Sequence, residues 1–189
     1  GAQDIGNGGV LDVVEQRSAR SAIASFAEFV KLAVSTELDI DPEEFRSGRQ
    51  RLKLDGRACE TEQVFIADKL ENGAGYSRWA AKPENMRRSL ERFLDGDDGV
   101  GRTWQDDAHA RDFDCSCPDC LRSYANRFIH GLLDWRLALD LADLALGRGL
   151  DTSRWIGGPE DRAAQSFKKF RDSTGLPVEI DYAEGLTAI

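Results

Sequence analysis

The sequence predicts an α+β domain in which a helix-rich body surrounds a small antiparallel sheet. Apolar residues recur at three- and four-residue steps near the start of the chain and again after residue 133, as expected for helices that each bury one face. Between them, residues 49–68 place charged and apolar side chains in alternation around an Asp-Gly pair, which is typical of a hairpin. With 189 residues and 41% hydrophobic content, the chain suits a single domain with its own core.

The first element is a helix predicted from residue 11 to about residue 37. Its apolar face repeats at helical spacing and consists of Ile23, Phe26, Phe29, Val30 and Ala33. The helix is expected to end at the Asp-Ile-Asp-Pro segment at 39–42, because a residue that precedes proline avoids helical backbone angles. The hairpin comes next, and its stretch at 64–67 (VFIA) is predicted to be the most buried strand.

Four helices are predicted after the hairpin, at residues 77–81, 83–94, 121 to about 130, and 133–146. Pro83 suits a first helical turn, where its missing N–H is not needed. The segment DGDDGVG at 95–101 is predicted to be a flexible break. The last of these helices is expected to bury the side that carries Leu133, Leu137, Leu141, Leu144 and Ala145. A loop, a short basic helix at 163–171 and a final strand complete the chain.

Charge and composition exclude several classes of protein. A net charge of −9 argues against non-specific nucleic-acid binding by this chain alone, because such binding depends on neutralising phosphates with lysine and arginine. No apolar run approaches the roughly 18 residues that a membrane-spanning helix needs, and the first ten residues lack the pattern of a secretory signal. We therefore expect a cytoplasmic protein. Because the chain does not begin with methionine, we also expect a piece of a longer polypeptide.

Three of the four cysteines, Cys115, Cys117 and Cys120, fall within six residues. Disulfide partners need Cα atoms about 5.5–6 Å apart with suitably directed side chains, which this spacing rarely offers. Clustered thiolates in a cytoplasmic chain are more often metal ligands. Zinc is expected because it accepts sulfur and nitrogen ligands tetrahedrally, whereas an iron–sulfur cluster usually needs four cysteines. A closed zinc site is structural, so we predict a zinc knuckle that orients the helix behind it.

The fourth ligand is left open by the sequence. His109 lies six residues before the cluster and could fold back onto it, and it is the preferred candidate. The alternatives are His130, ten residues after Cys120, and Cys59, which could reach across the fold from the hairpin. Each has an ordinary role to set against this one, as a surface or core histidine or as a small buried hydrophobe.

Four segments of the chain together resemble the C-terminal zinc-binding domain, of the mitomycin-repair-factor type, of superfamily-two helicases. They are RSARSA, VFIADKLENGAGY, CSCPDCLRSYANRFIH and LLDWRLALDLADLAL, in this order, between residues 17 and 146. The sequence is most similar to helicases of bacterial phage-defence systems such as DISARM. The resemblance implies one zinc-binding accessory domain, with a loose segment at 1–10, a family-like core at 11–146 and a C-terminal extension at 147–189.

The resemblance implies that this module is non-catalytic. ATP would be hydrolysed by motor domains elsewhere in the polypeptide or in a partner. The chain itself has no G-x-x-x-x-G-K-[ST] motif to cradle phosphates. Cys117 and Cys120 match the family's knuckle. Cys115 and His109 match it less closely. Many relatives place a cysteine three or four residues before the second cysteine of the knuckle, whereas Cys115 precedes Cys117 by two. Some relatives carry a histidine where His109 falls. Cys59 has no counterpart. The implied partners are motor domains and single-stranded or forked DNA.

Three functions follow from these patterns. The first is DNA strand guidance or motor-domain docking, for which the candidate DNA contacts, combining stacking and cationic groups, are Tyr76, Arg78, Trp79, Arg122 and Arg127. Taken singly, core packing or solvated ion pairs also explain these residues. The second is a protein-assembly module without DNA contact, which an acidic surface suits. The third is a metal-dependent nuclease built on Glu62, Asp68 and Lys69, which spacing alone supports only weakly.

Overall fold

The computed structural model describes residues 17–53, 60–70, 74–96, 99–106, 109, 115–151, 154–155, 181–183 and 186–188. Within these ranges the α+β prediction is confirmed, because helices surround a small antiparallel sheet. Cys59 and the predicted basic helix at 163–171 lie outside the described residues.

The described elements in chain order are α1 (Arg17–Leu38), β1 (Phe45–Lys53), β2 (Glu60–Asp68), α2 (Tyr76–Ala80), α3 (Pro83–Asp95), α4 (Val100–Gln105), α5 (Trp135–Leu146), β3 (Asp181–Ala183) and β4 (Leu186–Ala188). Short 3-10 helices occupy Pro42–Glu44 and Arg127–Leu132. β1 pairs with β2, and β3 pairs with β4, both antiparallel.

Helix α1 is the central element, since it contacts α3, α5 and both strands of the first hairpin. Phe29, Val30 and Ala33 are buried on its inner face, as the apolar spacing predicts. The rings of Phe93 and Trp104 meet Phe29 edge-on, with centroids 5.0 and 5.9 Å away. The end of α1 also falls where the proline-containing segment predicts it, just before residues 39–42.

The hairpin is confirmed, with cross-strand pairs running from Phe45 opposite Asp68 to Lys53 opposite Glu60. The prediction that residues 64–67 are the most buried strand is wrong, since none of the four is fully buried and Phe65 is 40% exposed. A two-stranded ribbon has one face against α1 and the other towards solvent. Phe65 is on the outer face, where it covers Gly48 so closely that an added Cβ would lie 2.7 Å from the ring.

Helices α2 and α3 lie close to their predicted limits, and α3 begins at Pro83. Helix α4 is unexpected, because it begins inside the segment predicted to be a flexible break. It packs tightly on α3, since a Cβ on Gly101 would lie only 2.9 Å from the carbonyl oxygen of Phe93. Gly101, which the sequence predicts to be part of a flexible break, instead allows the two helices to pack closely. Trp104, near the end of α4, is almost fully buried.

Helix α5 buries a different side from the predicted one. Leu133 and Trp135 are buried at its start, but Leu144 is 47% exposed and Ala145 is exposed. The buried positions along the helix are Ala138, Leu139, Asp140, Ala142, Asp143 and Leu146. The two aspartates are tolerated there because Arg154 binds both, at 2.9 Å and 2.5 Å. The predicted helix from residue 121 to about 130 is also wrong, since the chain forms turns and then the short 3-10 helix.

No helix among the described residues is long and apolar enough to cross a membrane.

Candidate metal centre

The turn from Cys117 to Cys120, which we call the knuckle, is closed by hydrogen bonds that bring the two cysteine side chains together. The backbone N–H of Cys117 donates to the Sγ of Cys120 at 3.0 Å, and the two sulfurs lie 3.5 Å apart. The carbonyl oxygen of Cys117 accepts from the N–H groups of Cys120 and Arg122, at 3.2 and 3.0 Å. Pro118 and Asp119 form the exposed tip, while both cysteine side chains are buried. The turn therefore points two adjacent sulfurs inwards.

His109 completes a cluster of three metal-ligating side chains. Its Nε2 lies 3.4 Å from the Sγ of Cys117, and the ligand atoms of His109, Cys117 and Cys120 all lie within 4.8 Å of one another. Its Nδ1 lies 2.9 Å from the carbonyl oxygen of Trp104, in the last turn of α4. A carbonyl can only accept, so the proton belongs on Nδ1 and the lone pair of Nε2 is directed to the sulfurs. This arrangement is the usual second contact of a metal-bound histidine.

The donor set of this cluster is one imidazole nitrogen and two sulfurs, which together could hold a metal ion. Burial raises the pKa of the Cys120 thiol to about 12, and hydrogen bonds from the backbone partly oppose this effect. Without a nearby cation the buried sulfur therefore stays protonated at neutral pH. A metal ion would bind the thiolate form and displace the proton.

The other predicted ligands lie apart from this cluster or beyond the described residues. Cys115 is exposed and is not a member of the cluster, although its carbonyl oxygen accepts from the N–H of Trp135 at 2.8 Å. The Nε2 of His130 lies 3.0 Å from the carbonyl oxygen of Ser123 and 2.8 Å from the Oδ1 of Asn126. His130 is thus part of the turn that follows the knuckle. Cys59 lies outside the described residues.

A buried asparagine fastens the turn after the knuckle to helix α1. The side-chain amide of Asn126 donates to the carbonyl oxygen of Leu121 and to the Oε2 of Glu28, both at 2.8 Å. Its Oδ1 accepts from the N–H of Ser123 at 2.8 Å. Glu28 is itself buried and pairs with the Nζ of Lys31 at 3.0 Å. The position of the turn is therefore set by hydrogen bonds to the central helix.

The five predicted DNA contacts fall in two separate places. Tyr76 and Trp79 are half-buried and pack against the core, so their aromatic rings serve the fold. Arg78 is exposed on α2. Arg122 is half-buried, and its Nε donates to the Oγ of Ser116 at 2.9 Å. Arg127 is exposed on the turn after the knuckle.

The residues of the nuclease hypothesis have structural partners. Both carboxylate oxygens of Asp68 accept backbone N–H groups of the loop that opens α2, from Gly75 at 3.0 Å and from Ser77 at 2.7 Å. Glu62 has a side chain only 4% exposed and binds Arg49 at 3.0 Å. These contacts account for Asp68 and Glu62 as supports of the hairpin and of the loop.

Two aromatic residues beside the knuckle were not singled out from the sequence. Tyr124 and Phe128 are 82% and 85% exposed. The guanidinium carbon of Arg127 lies 4.3 Å from the centre of each ring. The signal in the sequence is an aromatic, a basic and an aromatic residue within five positions. A predicted helix at 121–130 hides this signal, because aromatic residues in a helix are expected to face the core.

Comparison with known proteins finds one relative. The chain is 33% identical over 132 residues to Druantia protein DruE of Escherichia coli (strain UMEA 4076-1). The match covers 69% of this chain but 6% of DruE, so the chain corresponds to a small part of that protein. No family model and no solved structure matches the sequence.

Proposed function

We propose that this chain is a zinc-stabilised accessory module, without catalytic activity of its own, of a bacterial phage-defence protein. The observation that carries the proposal is the cluster of His109, Cys117 and Cys120. Two sulfurs and an imidazole nitrogen are the donors that zinc prefers, and they converge from a knuckle and from a residue anchored on α4. Zinc bound here would neutralise the buried thiolates and link the knuckle to α4.

The fourth ligand is proposed to come from Cys115, Cys59 or a water molecule rather than from His130. Cys115 is two residues from the knuckle and would need to turn its exposed side chain inwards. His130 would have to give up its contacts with Ser123 and Asn126. Four protein ligands would make the zinc site structural, whereas a water ligand would leave an open position.

The phage-defence context rests on the match to DruE together with the resemblance to phage-defence helicases. Because the matched region is a small fraction of DruE, we propose that the module works as one part of a much larger protein. Motor activity would then belong to other domains of that protein or to a partner. The module would dock on those motor domains or guide a DNA strand past them.

The first experiment measures metal content per chain by elemental mass spectrometry. Protein purified with reduced thiols and without chelator is expected to carry about one zinc per chain. Cys117→Ser and His109→Ala should lose most of it, whereas His130→Ala should keep it, because the contacts of His130 lie within the following turn. Zinc-free wild-type protein, or a His109→Ala variant with unchanged zinc, would contradict the proposed site.

The same measurement on Cys115→Ser and Cys59→Ser identifies the fourth ligand. The biological part of the proposal needs the full-length parent, in a plaque assay on cells that carry its defence genes. A double substitution, Cys117→Ser with Cys120→Ser, is expected to reduce protection while leaving basal ATP hydrolysis by the motor domains in place. Full protection by a parent shown to lack this zinc would contradict an essential role of the module.

A further inference from the structure

An exposed aromatic–cationic surface lies beside the knuckle. We call the side chains of Tyr124, Arg127 and Phe128 the stacking face. More than four-fifths of each aromatic side chain is exposed, and the guanidinium group lies over both rings. Exposed apolar side chains that lie together, unlike single ones, often mark an interaction site. The guanidinium occupies one side of each ring, which leaves the other side open to a flat ligand.

The stacking face is held in place from below. Asn126, which lies within the same five residues, is buried and bonded to Leu121, Ser123 and the α1 residue Glu28. The Nη1 of Arg127 also donates to the carbonyl oxygen of Tyr124 at 3.0 Å. The rings are therefore presented by a short turn with a fixed backbone, so little conformational entropy is lost when a ligand binds.

The segment that carries the stacking face differs in charge from the chain as a whole. The whole sequence has 34 acidic and 25 basic residues. Between residues 121 and 133, however, there are two arginines and one histidine and no acidic residue, although Asp119 and Asp134 flank the segment. Because the chain as a whole carries a net charge of −9, the face would attract a ligand mainly through its two exposed rings, with Arg127 as the positive charge placed to meet a phosphate.

From this geometry we propose that the stacking face binds single-stranded nucleic acid, with unpaired bases on Tyr124 and Phe128 and the backbone near Arg127. Stacking on aromatic rings together with arginine is the common chemistry of single-strand binding without sequence preference. The inference deepens the proposed function in one respect, because it assigns the strand contact to a surface beside the zinc knuckle. It removes the contact from Tyr76 and Trp79, whose half-buried rings pack against the core.

The test is fluorescence anisotropy of a labelled oligothymidylate of about 20 nucleotides, a length that exceeds typical site sizes. The intact, zinc-loaded chain is expected to bind at about 50 mM salt and to bind more weakly at about 200 mM, because phosphate contacts release counterions. Tyr124→Ala and Phe128→Ala are each expected to weaken binding between about fivefold and 100-fold. Tyr124→Trp and Phe128→Tyr keep a ring at each position and should restore most of the affinity.

Matched controls separate the stacking face from general surface effects. Leu150→Ala removes another exposed apolar side chain, and Arg87→Ala removes one exposed positive charge from α3. Both variants should bind like the wild type, whereas Arg127→Ala should not. Equal loss in the controls, or unchanged binding by Tyr124→Ala/Phe128→Ala, would overturn the inference.

Zinc content of every sample distinguishes the two proposals. Zinc-loaded protein that fails to bind the oligonucleotide at low salt would overturn the stacking face as a nucleic-acid site and leave the zinc module standing. The face would then be a docking surface for a protein partner. Zinc-free wild-type protein that binds through Tyr124 and Phe128 would support the stacking face and contradict the zinc proposal.

Discussion

Replacement of Asn126 by alanine tests whether the turn after the knuckle depends on its buried amide. The substitution leaves the carbonyl oxygen of Leu121, the Oε2 of Glu28, the N–H of Ser123 and the Nε2 of His130 without this partner. A buried polar group that loses its partner costs about 1–3 kcal/mol. Glu28 keeps its contact with Lys31, and Ser123 is half-buried, so its N–H can gain a water partner. We therefore expect the free energy of unfolding to fall by about 3 kcal/mol.

A loss of this size is measurable by urea denaturation or by thermal unfolding of the zinc-loaded chain. For a chain of this length, about 1 kcal/mol corresponds to about 2–4 °C in Tm, so Asn126→Ala should melt roughly 6–12 °C below the wild type. Asn85→Ala is the matched control, because within the described part of the chain its side chain donates a single hydrogen bond, to the carbonyl oxygen of Trp79 at 2.8 Å. That variant should lose about 1 kcal/mol.

The isosteric change Asn126→Asp sharpens the test. It replaces the amide that donates to Glu28 and Leu121 with a carboxylate oxygen, which places two acidic side chains together in a buried site. It should destabilise the protein more than alanine does at pH 7 and recover part of the loss at lower pH, where one carboxyl is protonated. If Asn126→Ala is no more destabilising than Asn85→Ala, the reasoning that the amide holds the turn is refuted.

Three further predictions concern packing, pH and the metal. Gly101→Ala should destabilise the fold by about 1–3 kcal/mol, because the new methyl group would lie 2.9 Å from the carbonyl oxygen of Phe93. Gly131→Ala should cost far less, since there is open space around Gly131. Denaturant midpoints of the two variants give the comparison. Burial raises the pKa of Asp134 above its ordinary 3.8, so its contribution to stability is full below that value and is lost as pH rises through the folded-state pKa. Asp134→Asn keeps the N-cap acceptor, so it should gain stability over the wild type as pH rises and match it in strong acid; a gap that does not change with pH would count against this. Zinc affinity, measured by chelator competition, should fall as the pH is lowered, by about tenfold per pH unit for each thiol proton that the metal displaces. An affinity that does not depend on pH would argue against thiolate ligands.

Local patterns in the sequence predicted much of the fold. Prolines mark the end of α1 and the beginning of α3, and alternation around an Asp-Gly pair marks the hairpin. Each of these features could be inferred from adjacent residues. The buried side of α5 could not. Leucines repeat along one side, yet Leu144 is exposed, because alanines at 138 and 142 are part of the buried side and Arg154 neutralises two aspartates there. A residue that lies outside the helix decides which side is buried.

The candidate site shows the same division. The Cys117–Cys120 spacing alone predicts that the two sulfurs lie together, and they are 3.5 Å apart. His109 was a candidate among three, and what distinguishes it is the carbonyl oxygen of Trp104, which orients its ring. That contact depends on α4, which the sequence did not indicate, because its glycines were read as a break. Cys115 lies close in sequence but outside the three-residue cluster, so its predicted role as a ligand stays a prediction.

The indole of Trp135 lies against the imidazole of His109, with ring centroids 5.4 Å apart and the planes at a steep angle. The backbone carbonyl oxygen of a second tryptophan, Trp104, accepts the hydrogen bond of that imidazole. Indole emission is sensitive to charge and to motion in its immediate surroundings, so the arrival of a metal ion at this imidazole should alter the intrinsic fluorescence of the native chain. Loading can then be followed optically, without label or substitution. Unfolding would instead shift the emission of all four indoles to that of solvated tryptophan. The emission spectrum therefore distinguishes loss of the metal from unfolding in a single chelator titration.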